Sequence, residues 1–156
     1  VTKKSRIKDV DKGLITALQA VQRLEGLKTK VGVQSGTPAS ADAAPLDMAQ
    51  LAAVHEFGSS DGNIPARPFM AMTFANTTKA RNKLISNLIR RVQDRRLRPS
   101  QAIALLGEWY EGQVKKTVRD LRDPPNAAST VAAKGSSNPL VDEGRLIGSI
   151  RHEEEL

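Results

Sequence analysis

Val54-His55-Glu56-Phe57-Gly58, followed after a Ser/Asp/Gly-rich gap by Ile64-Pro65-Ala66-Arg67-Pro68-Phe69, is the stretch on which the reading of this chain turns. Each proline fixes its own φ at about −65° and pushes the residue before it toward extended geometry, so Ile64 to Pro68 reads as a stiff linker. It delivers Phe69 and Met70 to the start of a long amphipathic pattern, Phe69 to about Leu97, in which Leu84, Ile85, Leu88, Ile89 and Val92 share one side. Upstream, Asp47 is placed to cap a short helix through about Phe57, with Met48, Leu51, Ala52 and His55 as its inner stripe. Asp61-Gly62 between the two is a turn signal. The stretch builds a corner between helices: Pro65 and Pro68 stiffen it, Phe57 and Phe69 are expected in the core, and Arg67 is presented on it. Two roles fit Arg67, bidentate contact with a neighbour's carboxylate or carbonyls and an intramolecular tie across the corner.

Outward from this corner, Val10, Leu14, Ala17, Leu18, Val21 and Leu24 recur at helical spacing and end at Gly26, where a C-terminal cap belongs. Lys28 to Gln34 alternates, with Val31 and Val33 on one face of a strand, and Ser35 to Leu46 reads as a loop. Pro99 breaks the long pattern, and Ser100 is expected to cap a further helix to about Arg122. Its stripe is Ile103, Leu106, Tyr110, Val114, Val118 and Leu121, while Leu105 and Trp109 fall off it and suggest a second contact surface. Asp123 to Gly144 is a long loop without periodicity. Leu146 to His152 alternates again and is expected to pair with the Val31 strand, after a turn set by Asp142 and Gly144. The fold class is therefore α+β, a small antiparallel or mixed sheet packed against long amphipathic helices with long flexible loops. Residues 1–8 form a basic arm and 9–156 a single domain.

Composition bounds the chemistry. The 156 residues carry a net charge of +7 and no cysteine, which removes disulfides and thiolate sites and leaves a surface that attracts polyanions. No stretch approaches the roughly 20 apolar residues needed to cross a bilayer. His55-Glu56 opens a zinc-protease-like string, but position 59 is Ser, so the second histidine is missing. Neither phosphate-cradling glycine motif nor a serine-nucleophile elbow is present, and the loop serines read as turn formers. Adjacent Asp142 and Glu143 would point to opposite faces of a strand and could not act together on one substrate. His55 reads as a packing residue. No cofactor, metal or catalytic group is expected.

Lys79, Lys83, Arg90 and Arg91 form a basic ridge on the long helix. It fits a solvated face, and it fits passive contact with DNA phosphates; aromatic platforms for base readout are not evident. A basic nucleic-acid-binding module without enzymatic activity is the alternative reading of the whole chain.

Taken in order, Val31-Gly32-Val33, Leu51 to Gly58, Ile64 to Phe69, Pro124-Pro125-Asn126, Thr130, Lys134-Gly135-Ser136, Pro139 to Asp142, Gly144-Arg145-Leu146 and Ser149-Ile150 resemble the tail-completion, or head-tail joining (neck), proteins of long-tailed bacteriophages, the virion-morphogenesis group. Glu143 stands where that family has Thr, and Met70 where it has Leu. The resemblance implies a structural virion protein made in the host bacterial cytoplasm and placed at the head-tail junction. It implies a homo-oligomeric ring, a hexamer by family guidance, that joins the DNA-filled head to the tail. Its partners would be further copies of itself, the head-side adaptor, connector or portal complex, and tail terminator or tail tube proteins, with passive contact with phage DNA and no membrane. Arg67, Phe69, Leu105, Trp109, Lys134 and Arg145 are the interface residues expected on this reading, and the loop from Asp123 to Asn138 is an arm that orders against an adjacent ring.

Overall fold

The computed structural model describes residues 14–36, 38–39, 46–134, 138, 140 and 144–155. The basic arm at 1–8, the expected helix start at Val10 and the Asp142 turn residue lie outside them. In chain order the elements are α1 (Leu14–Gln22), β1 (Lys28–Val33), α2 (Met48–Phe57), α3 (Phe69–Asn76), α4 (Thr78–Gln93), α5 (Pro99–Asp120), α6 (Ala128–Lys134), α7 (Arg145–Ser149) and β2 (Ile150–Glu155). The fold is α+β: a two-stranded antiparallel sheet against helices.

The sheet follows from alternation. β1 and β2 pair from Lys28 opposite Glu155 to Val33 opposite Ile150, so Val31 faces His152 across the ladder. Val33, Ile150 and Val31 turn toward the core, while Lys28, Lys30, Glu153 and Glu155 stay exposed and Lys30 pairs with Glu155. A two-stranded sheet is marginal on its own in water. α5 supplies its cover, and Gly107 makes the approach possible. A Cβ at Gly107 would meet the Thr29 hydroxyl and lie 2.7 Å from His152 Cδ2, so any side chain there would push the helix off the sheet.

At 22 residues, α5 runs about 33 Å and joins two hydrophobic clusters. At one end Val114, Val118 and Leu121 pack with Met48, Ala52, Phe69, Leu140, Leu146 and Ile150. At the other, Ala102 packs with Leu88 and Val92 of α4, flanked by Ala20 and Leu24 from the α1 region and by Leu97. Thr73 and Thr117 share a 2.7 Å hydrogen bond where α3 crosses α5.

Four expectations need correction. The pattern from Phe69 to Leu97 is two helices that break at Thr77 (φ −96°, ψ 2°). Threonine hydroxyls compete for the carbonyls there, Thr77 bonding Thr73 C=O at 2.7 Å and Thr78 bonding Ala75 C=O at 3.0 Å. Arg98, not Ser100, is the N-cap of α5; Pro99 takes the first helical position, where its missing N–H is no loss. The segment from Asp123 to Gly144 contains α6. Finally, the stretch from Leu146 to Ser149 belongs to α7, and the strand begins at Ile150.

Candidate functional site

The corner is built by backbone bonding. Gly58 N–H bonds Val54 C=O at 2.8 Å, Ser59 N–H bonds Ile64 C=O at 3.0 Å, and Arg67 N–H bonds His55 C=O at 2.6 Å, folding the linker back along the end of α2. Gly58 has φ 81°, and a Cβ there would sit 3.1 Å from both Ala66 N and Ile64 O. Only glycine suits that position. The Glu56 carboxylate accepts from the N–H groups of Met70 (2.9 Å) and Ala71 (3.0 Å), which caps the positive end of α3 from another helix.

Arg67 points inward and is 3% exposed. Its Nε donates to Pro124 C=O at 2.8 Å and its Nη2 to Pro125 C=O at 3.0 Å. Burial lowers the guanidinium pKa, but an arginine remains charged. Of its two roles, the intramolecular tie is the one seen, and a contact with a neighbouring subunit is closed to it. Phe69, also expected at an interface, lies in the core at 1% exposure. Phe57 is 81% exposed, against the expectation of a core plug. Nine residues on from Met48, it falls on the opposite side of α2 from the buried Met48 and Ala52. Pro65 is exposed, and Pro68 is the N-cap of α3.

A second group of residues faces outward. Phe74 of α3 is 58% exposed. Its ring stands edge-on to Tyr110 of α5 at 6.5 Å, and Tyr110 lies 6.0 Å from Trp109. The Arg81 guanidinium caps the Phe74 ring at 3.9 Å and donates to Phe74 C=O at 2.9 Å. Partial burial pushes the Tyr110 phenol up, with Arg81 opposing. Trp109 is half-buried, and Leu105, one helical turn before it, is exposed. Leu105 and Trp109 were legible as off-stripe residues. Phe74 and Arg81 were not, because their arrangement depends on the break at Thr77.

Glu111 holds the other side of α5 to the sheet. Its carboxylate accepts from His152 N–H at 3.0 Å, lies 2.5 Å from His152 Nδ1, and pairs with Lys115. Burial pushes the carboxyl up, but Lys115 and His152 outweigh it and hold it down at about 2. Lys79, Lys83, Arg90 and Arg91 are exposed along α4. Gly144 is left-handed at φ 71° and precedes α7; Arg145 is half-buried. The Lys134 side chain lies outside the described set. Among the described residues no group of three or more His, Asp or Glu could hold a metal ion, and no helix is long and apolar enough to cross a membrane. No family model, curated protein or solved structure matches the chain.

Proposed function

We propose that this chain is a non-enzymatic structural subunit of a tailed-phage particle, a tail-completion or neck component that forms a ring joining the DNA-filled head to the tail. The observation that carries the proposal is a surface cluster in which exposed Phe74 and Leu105 and half-buried Trp109 and Arg81 are backed by Tyr110, which packs against the core. Tryptophan, tyrosine and arginine are the residue types that dominate binding energy at protein interfaces. Here they are pre-ordered by edge-on and tilted ring contacts and by the cation above the Phe74 ring, so docking would cost little further side-chain entropy.

The ordered series of segments that resembles neck proteins adds a second, independent support. The residues of the quoted corner bond to one another and to Pro124 and Pro125, which suits a rigid scaffold rather than a reacting centre. On this reading the first partner is another copy of the chain, and the ring contacts a head-side connector and tail proteins. Particles assembled without the chain and imaged by electron microscopy test it. Filled heads beside separate, finished tails are expected; intact infectious particles would refute the role.

A further inference from the structure

Five arginines fall between Arg90 and Arg98, at the end of α4 and the turn into α5. The turn is closed by two backbone bonds, Arg96 N–H to Arg91 C=O at 2.9 Å and Arg95 N–H to Val92 C=O at 3.0 Å. In this helix ending the residue after the cap is left-handed and usually glycine. Here it is Arg95, with φ 59°, the one non-glycine residue at positive φ among those described. Arg98 is just as ill-suited to its place. It is the N-cap of α5, where the helix dipole disfavours a cation and a short oxygen-bearing side chain serves best. The dipole at the end of α4 favours Arg90, Arg91 and Arg95, but it accounts neither for the left-handed backbone at Arg95 nor for a cation at Arg98.

Both side chains line one cleft of about 390 Å³, together with Arg96, with Arg23 from the end of α1, and with Gln19 and Gln101. Among the described residues no carboxylate lines it. Among the described residues, none of the four guanidinium groups makes an ion pair or side-chain hydrogen bond, and neither Asp94 nor Glu25 approaches them within pairing distance. Four like charges line one cleft, and such a concentration of positive charge attracts a polyanion. Guanidinium forks match phosphate oxygens in bidentate geometry. No aromatic ring lines the cleft, so it lacks the stacking platforms that capture single-stranded bases. α4, which carries the basic ridge on its exposed side, has 16 residues and spans about 24 Å, roughly seven base pairs of duplex.

We propose that this arginine-lined cleft binds the phosphodiester backbone of double-stranded DNA without reading its sequence. The proposal goes beyond the ring and does not depend on it. The test is fluorescence anisotropy of the full chain with a labelled duplex across a salt series, comparing wild type, Arg95→Gly and Arg95→Gly/Arg96→Gln. Arg95→Gly relieves the left-handed backbone, so its Tm is expected to rise while DNA affinity falls. The slope of log affinity against log salt should shrink by about 1 in the single variant and about 2 in the double, alike for two duplex sequences. A structural role alone gives the Tm rise without the affinity loss, and that result would overturn the proposal. So would unchanged binding in both variants alongside loss in Lys79→Gln/Lys83→Gln, or binding of anionic phosphatidylglycerol vesicles or inorganic phosphate but not DNA. The native mass of the same samples reports assembly separately, so failure of the ring reading leaves this result interpretable.

Discussion

At Arg67 a guanidinium has left water and found the carbonyls of two consecutive prolines, residues that offer no N–H of their own in return. Charge-assisted bonds of this kind stabilise more than neutral ones. Arg67→Ala leaves both carbonyls without their donor and is expected to cost about 2–3 kcal/mol. Arg67→Lys should recover less than half of that, because a single ammonium cannot reproduce the planar fork. Urea unfolding, with midpoints shifted and slopes unchanged, measures both. The prolines announced a stiff segment in the sequence, but Pro124 lies 57 residues away from Arg67, and no local pattern says which way the guanidinium turns. Phe57 is absent from the core for a different reason: its angular position on α2 turns it away from buried Met48 and Ala52. Glu56 carried no signal at all, since capping a helix from outside depends on how two helices meet.

On the scale of elements, α5 is the part that the sequence declares most clearly. Val114, Val118 and Leu121 recur at helical spacing and all are buried. β1 and β2 were legible from alternation, and their pairing followed. Invisible was the clamp between α5 and β2, since Glu111 and His152 stand 41 residues apart. That clamp makes a pH prediction. The Glu111 carboxyl is held at about 2 against an ordinary value of 4.5, so the folded state favours the charged form. Its contribution is complete above pH of about 4.5 and is lost as pH falls toward 2. After solvent screening it amounts to roughly 1 kcal/mol. Glu111→Gln should therefore be less stable at neutral pH and lose less stability on acidification, in chemical denaturation repeated across that range. An identical acid dependence in wild type and variant would remove Glu111 as the cause. The division of α3 from α4 escaped the sequence because no Pro or Gly marks it; three threonine hydroxyls do the work through their side-chain bonds.

At the scale of the molecule, two modest clusters share one helix among the described residues, and the sheet there has two strands. On the proposed reading the chain would gain from neighbours, since an oligomer buries surface that the monomer leaves wet. The aromatic face is where that burial is expected, with the arginine cleft left free for DNA. Phe74 and Leu105 are exposed, so Phe74→Ser and Leu105→Ser should leave the fold intact while weakening assembly. Native mass spectrometry of the purified chain at micromolar concentration tests this account most directly. It predicts one closed homo-oligomer that the paired Phe74→Ser/Leu105→Ser variant converts to folded monomer with little change in Tm. A wild-type chain that stays monomeric at those concentrations, or a ring indifferent to both substitutions, would contradict it.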